Sequence, residues 1–199
     1  MTTTIALIRQ LREETGAGIM DCRQALEEAN SSYAAALAAL RDKALADAAK
    51  RSDCEAAQGM LEIYSHGQGR IGVMVEINTE TDFAARSAAF RAFAHEIALH
   101  IAAAAPRWVS DREIPPEVIE QEEEKAAAIA RAEGQPEDLL PRIVKGRVEK
   151  YKTMNALLNQ ASIRDEKTPV SELLARARAQ VGENILIRRF ARWELGEGE

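Results

Sequence analysis

The chain has 199 residues, of which 46% are hydrophobic, 29% charged and only 5% aromatic. That is enough for one large domain or two small ones with a real core, and an alanine-rich, aromatic-poor composition favours helix. The formal net charge of −6 excludes the global basic surface on which phosphate neutralisation depends, so direct nucleic-acid binding is not expected.

In chain order, Thr3 or Thr4 can cap a first helix whose apolar positions are Ile5, Ile8 and Leu11, with Leu7 beside them. Thr15-Gly16-Ala17-Gly18 makes a tight corner, with Gly16 where a helix-ending glycine belongs. A second helix follows, with Ile19, Cys22, Ala25, Leu26 and Ala29 on one face. Asn30-Ser31-Ser32 breaks and recaps the chain, and a third helix presents Tyr33, Leu37, Leu40 and Ala44. Three short amphipathic helices read as a small bundle ending near Lys50. So small a unit buries little surface and is marginal alone. Arg41 to Asp53 reads as a helical linker.

The period then changes. Gly59 to Ser65 predicts a strand with Leu61 and Ile63 on one face. After the turn His66-Gly67-Gln68-Gly69-Arg70, a second strand sets Ile71, Val73, Val75 and Ile77 against Gly72, Met74 and Glu76. Asn78 to Asp82 is a polar, capping-rich lead into helix. Phe90, Phe93, Ala94, Ile97 and Ile101 form a core stripe at helical spacing, stopped by Pro106. Pro115 or Pro116 opens a glutamate-rich helix through Val118, Ile119 and Ile129 to Gly134, whose thin stripe suits a projecting element. Its antiparallel neighbour starts near Pro141 and carries Ile143, Val148, Tyr151 and Leu158, giving a hairpin at about 115–158. Thr168-Pro169 opens a last helix with Val170, Leu173, Leu174, Ala177 and Val181, closed by Gly182. Asn184 to Leu195 is a final β-rich run expected to pair with the central hairpin. The fold class is α+β: a three-helix domain with its linker at 1–53, and a core at 54–199 with a small antiparallel sheet, packed helices and a helical hairpin.

Motifs for chemistry are sparse. His95 and His100 lie five apart, about 140° round a helix, which is wrong for joint metal ligation. The Thr15–Gly18 corner lacks the preceding strand and lysine of a phosphate loop, and no nucleophile elbow occurs. The basic clusters Lys50–Arg51, Arg142 to Lys152 and Arg188–Arg189 read as solvated faces. Cys22 and Cys54 are too few for a disulfide framework or a zinc site and read as reduced thiols. Met1-Thr2-Thr3-Thr4 lacks a cationic and apolar signal pattern, and no apolar run is long enough to cross a bilayer, so a cytoplasmic location is expected. No metal, cofactor or catalytic group is expected, and the chain reads as a protein that acts by binding another protein. On hydrophobicity alone, Phe83, Ile19 and Met20 read as core residues more readily than as exposed anchors.

Thr15-Gly16-Ala17-Gly18-Ile19-Met20-Asp21-Cys22-Arg23-Gln24-Ala25-Leu26, then Glu80-Thr81-Asp82-Phe83, then Gly182-Glu183-Asn184-Ile185 with Arg188-Arg189-Phe190, resemble elongation factor Ts. The likeness runs from Ile5 to Gly196, in order and spacing, and is to the short bacterial form with one core unit. The resemblance implies a guanine-nucleotide exchange factor, not an enzyme, that binds the GTPase elongation factor Tu and promotes GDP release. It implies a ubiquitin-associated-like amino-terminal bundle that docks through Arg12, Ile19 and Met20. It places Thr81, Asp82, Phe83 and Ala84 in the segment that intrudes beside the partner's magnesium and phosphate site. This sequence departs from the family pattern in four places. Ile19 stands for a usual methionine and Ala84 for a usual valine. Pro141 interrupts a regular helix, and Asn159-Gln160-Ala161-Ser162 replaces Glu-Gln-Pro-Phe. Two rival readings are a ubiquitin-associated-type adaptor without exchange activity and an enzyme of unknown type. The carboxy-terminal strand is also a candidate sheet edge for a second copy of the chain.

Overall fold

The computed structural model describes residues 2–50 and 54–197. Helices α1 (Thr2–Thr15), α2 (Ile19–Glu28) and α3 (Tyr33–Lys50) open the chain. They enclose Leu11, Cys22, Ala25, Leu26, Ala36 and Leu40, with Leu7, Ile8, Tyr33 and Leu37 packed against that cluster. Two expectations need correction here. Helix α1 begins at Thr2, so Thr3 and Thr4 lie within it instead of capping it. Ile5 is exposed, and the inward face is Leu7, Ile8 and Leu11. Gly16 ends α1 with φ +70° while its N–H bonds the Arg12 carbonyl at 2.9 Å, a left-handed closure that favours glycine. Part of the expected linker, residues 51–53, lies outside the described residues.

The chain forms two compact units. The first gathers the described residues up to Met60 together with Asn78–Phe93 and Leu174–Leu186; the second holds Leu61–Ile77, Ala94–Leu173 and the described residues from Ile187 onward. Strands β1 (Gln58–His66), β2 (Ile71–Thr79) and β3 (Ile185–Glu194) make an antiparallel sheet in the order β1-β2-β3. The central strand alternates as expected, with Val73, Val75, Ile77 and Thr79 buried. Leu61 and Ile63 share a face of β1, but that face is exposed; Met60, Glu62 and Tyr64 form the half-buried side. Glu62, on that half-buried side, meets His95 Nδ1 at 2.9 Å.

Between β2 and β3 lie a single turn, α4 (Asp82–Ala85), and then α5 (Ala88–Ala104), α6 (Pro116–Ala132), α7 (Leu140–Asn155) and α8 (Val170–Val181). The expected stripe of α5 is buried at Phe90, Phe93, Ala94, Ile97 and Ile101. Helices α6 and α7 pack on each other as a hairpin. Its buried residues differ in part from the expected ones: they are Ala126 and Ala130 of α6 and Leu140 and Val148 of α7, while Ile129 is exposed and Leu158 lies beyond the helix. Small residues let two helices approach closely, so the thin apolar stripe still gives a packed pair. Pro141 falls in the first turn of α7, where its missing N–H is no loss, so it initiates the helix without disturbing it. The base of the hairpin is pinned by Leu157 N–H to Trp108 O at 2.9 Å and Leu158 N–H to Val109 O at 3.0 Å.

The segment 159–162, which departs from the family pattern, serves packing within the second unit. Gln160 is buried, and its amide nitrogen donates to Met154 O at 2.6 Å and Ala104 O at 3.4 Å. Its Oε1 therefore faces His100 Nε2 at 2.9 Å, which must be the donor, leaving the buried Nδ1 without a partner. Ser162, also buried, donates its N–H to Thr168 O at 2.8 Å.

Burial pushes the His100 pKa below the ordinary value of 6.5, against the smaller opposing pull of the Gln160 hydrogen bond and the Glu96 charge. The unfolded chain therefore binds more protons than the folded one below that value. The stabilisation is complete above about pH 6.5 and is lost as pH falls towards the lower folded pKa. The melting temperature should drop between pH 7 and pH 5. A His100→Asn variant, less stable at pH 7, should show a shallower drop, and an unchanged slope would count against this assignment.

Candidate partner-binding site

The two motifs Glu80-Thr81-Asp82-Phe83 and Gly182-Glu183-Asn184 stand about a hundred residues apart, yet they meet within the first unit. Antiparallel pairing brings the end of β2 beside the start of β3. Gly182, at φ +80°, closes α8 with its N–H on Arg178 O at 2.8 Å, and the chain turns directly into β3. At this turn the Glu183 carboxylate accepts three hydrogen bonds. Thr79 Oγ1 and Thr81 N–H reach Oε2 at 3.1 and 2.9 Å, and Thr81 Oγ1 reaches Oε1 at 2.7 Å. In return Asn184 N–H donates to Glu80 Oε1 at 2.6 Å, and the Asn184 side-chain amide donates to Cys54 O at 2.8 Å. Partial burial pushes the Glu183 pKa up, but the hydrogen bonds from Thr81 and Thr79 and the Glu80 N–H outweigh it. The group is held below the usual carboxylate range.

Thr81 has extended backbone (φ −124°, ψ 155°) and is the N-cap of α4, its Oγ1 accepting from Ala84 N–H at 3.2 Å. The turn is then divided sharply. Ala84 and Ala85 are buried, whereas Asp82 and Phe83 face outward, Phe83 with 83% of its surface exposed. Asp82 meets Arg86 at 2.9 Å, an i,i+4 pair so exposed that it is worth little and opens easily. After Arg86 the chain is recapped by Ser87, whose Oγ accepts from Phe90 N–H at 3.2 Å.

The core reading of Phe83 is therefore overturned. The same holds on the bundle, where Ile19 is 55% and Met20 71% exposed on the first turn of α2. Arg12, in the last turn of α1, is exposed on the other side of the Gly16 corner. Of the expected intruding residues, Thr81, Asp82 and Phe83 display side chains, and Ala84 does not. Its methyl is buried beneath the turn. Glu183 and Thr79 were assigned no role from sequence. The available signal was register: once β3 pairs antiparallel with β2, the residues preceding β3 must lie opposite Thr79 to Thr81. Among the described residues no helix is long and apolar enough to cross a membrane. Cys22 is buried and Cys54 exposed, both as free thiols.

The single turn α4 thus holds a phenylalanine and a carboxylate outward. Residues 14–197 match the family model for elongation factor Ts. The chain is 51% identical to elongation factor Ts of Caldanaerobacter subterraneus subsp. tengcongensis, over 96% of both chains. It is 49% identical to that of Acetivibrio thermocellus, over 98% of this chain and 91% of the relative. It is 44% identical to that of Coprothermobacter proteolyticus, over 99% of this chain and 100% of the relative. This chain belongs to the elongation factor Ts family, the translation elongation factors of that name, and these relatives share its short form.

An exposed side chain carries little folding stability, so Phe83→Ala should leave the melting temperature within about 2 °C of the parent. A buried phenylalanine would instead cost about 3–5 kcal/mol, and a large fall in thermal unfolding would sink the exposed-anchor assignment.

Proposed function

We propose that this chain is the guanine-nucleotide exchange factor for elongation factor Tu, docking through residues 1–53 and displacing GDP through the core, residues 54–199. The observation that carries this reading is Phe83, an aromatic ring left almost wholly in water on a capped turn that is seated by the buried Ala84 and Ala85. Large exposed apolar side chains held on ordered backbone suit interface anchors. The partner holds GDP through a phosphate-cradling loop and magnesium, as GTPases do. In the proposed step Phe83 fills an apolar cleft beside that site. Asp82, released from its exposed pair with Arg86, sets a negative charge near the magnesium.

No nucleophile or metal is required for this. A protein that binds the nucleotide-free state better than the GDP state weakens GDP, and GDP weakens it equally in return. A shift of about 10⁴-fold needs about 5.5 kcal/mol of differential binding, whereas burying one phenylalanine supplies roughly 1.5–3 kcal/mol. A second contact is therefore needed, and Arg12, Ile19 and Met20 supply an exposed mixed surface for it. These residues anchor the complex, and Thr81, Asp82 and Phe83 act on the nucleotide site.

The decisive measurement is release of fluorescent GDP from elongation factor Tu, with and without this protein. Phe83→Ala should slow release at least roughly 30-fold, the equivalent of about 2 kcal/mol at an interface anchor. Asp82→Ala should do less, because a partly solvated charge is screened. Arg12→Ala and Met20→Ala should raise the concentration needed for half-maximal release while leaving the maximal rate close to normal. A chain that binds the GTPase without changing GDP release would be an adaptor, and the exchange reading would fall.

A further inference from the structure

Glu183 reaches no partner protein in the proposed mechanism, yet the residues on both sides of Glu80 at the start of the displacing turn hydrogen-bond to it. Thr81 Oγ1 has a single proton, and the 2.7 Å bond commits it to Glu183 Oε1. With that proton fixed, a lone pair of the same oxygen is aimed at Ala84 N–H, which it accepts at 3.2 Å. Oε2 meanwhile holds the Thr81 N–H at 2.9 Å and the hydroxyl of the buried Thr79 at 3.1 Å. The residues on both sides of Glu80, Thr79 by its hydroxyl and Thr81 by its N–H and hydroxyl, are thus tied to one carboxylate, and Asn184 N–H ties the Glu80 side chain back at 2.6 Å. We propose that Glu183 is a positioning residue for nucleotide exchange: through the Thr81 hydroxyl it locks α4 and fixes the direction in which Asp82 and Phe83 are presented. This rests on the exchange reading above. It adds that presentation is set from the β3 side of the sheet by a residue outside the displacing segment. Without the carboxylate, the Thr81 hydroxyl is free to donate to water, its lone pair is no longer aimed at Ala84, and the four-residue turn loses its first restraint. Besides that cap the short turn has only a few backbone hydrogen bonds, Ala85 N–H to Thr81 O at 3.2 Å, Arg86 N–H to Phe83 O at 3.2 Å and Ser87 N–H to Ala84 O at 3.0 Å, so the loss of one restraint is felt throughout it.

The test combines amide hydrogen exchange on the free protein with GDP release from elongation factor Tu. In Glu183→Ala, exchange at the Ala84 and Ala85 amides should accelerate at least about tenfold while Val75 in β2 keeps its protection, the loss expected for one cap and one charged hydrogen bond. Maximal GDP release should slow by about tenfold, with the half-saturating concentration moving less than about threefold. Thr81→Val, which keeps the shape and removes the hydroxyl, should reproduce both effects, and Thr81→Ser should restore both. Combined with Phe83→Ala, Glu183→Ala should add less than about threefold further slowing, the part that Asp82 still carries, because most of its effect acts through the ring that is already gone. Unchanged protection at Ala84, or slowing that multiplies in the double variant, overturns the proposal. If Glu183→Ala unfolds, Thr81→Val decides: wild-type protection at Ala84 in that variant would overturn the lock, whereas accelerated exchange there supports it. The amide measurement needs no partner. Should Phe83→Ala release GDP at the wild-type rate, the exchange reading fails and takes the functional half of this proposal with it, while the Ala84 rates still judge the lock.

Discussion

Antiparallel pairing of the last strand against the central one is the constraint on which the site depends. A strand that returns beside β2 must begin where β2 ends, and this brings residues 182–184 to Thr79 to Thr81 across a gap of about a hundred positions. The chain uses that meeting for a carboxylate accepting hydrogen bonds from two hydroxyls and a backbone N–H. Charge-assisted hydrogen bonds of this kind are stronger than neutral ones, and each makes the ionised form of Glu183 more favourable. The depressed carboxyl pKa and the rigidity of the turn are two consequences of one arrangement.

An exposed phenylalanine is unfavourable for a protein in water, so the backbone beneath it has to be held by other residues. Ala84 and Ala85 bury the inner side of the turn, Thr81 caps its start and Ser87 restarts the chain into α5. Restraint of this kind has an energetic purpose in binding. Ordering a mobile loop at an interface subtracts from affinity, and a turn already held in one shape leaves that ordering complete before the partner arrives. The residues proposed to dock on α2 follow the same logic, since Ile19 and Met20 stand exposed on the first turn after a glycine corner while Cys22, Ala25 and Leu26 are buried.

Much of the fold was legible because it is written in short periods. The alternation at Val73, Val75 and Ile77, and the stripe from Phe90 to Ile101, depend only on neighbours a few residues away and on having one buried side. Periodicity says which residues share a face, but it does not say which face is covered. Leu61 and Ile63 were paired correctly on one face, and that face is the exposed one, with Met60, Glu62 and Tyr64 on the half-buried side. Ile5 and Ile129 failed in the same way: Leu7 and Ala130 occupy the available space instead. Phe83 was misjudged by the rule that aromatic residues are inside, a rule that holds for cores and fails at binding surfaces. The resemblance to the family pointed to Phe83 where hydrophobicity did not. Neither signal could give Glu183 a role, since that role arises from register and exists only once the sheet is formed.

The division of labour within the first unit has a physical logic. A wedge that bound tightly by itself would be as unfavourable to remove as it is effective to insert, and reciprocal coupling would leave the GTPase held without nucleotide. In the proposed mechanism, a small ring on a rigid turn avoids this by contributing only part of the differential binding. The remaining affinity comes from the bundle, whose contacts need not distinguish the GDP state from the empty one. Binding that does not distinguish two states raises occupancy without shifting their balance. The rate of release is then governed by how accurately the turn presents Phe83 and Asp82, not by how strongly the two proteins adhere. That places the kinetic sensitivity of the molecule in residues such as Thr81 and Glu183, which stabilise a direction and add little contact area of their own.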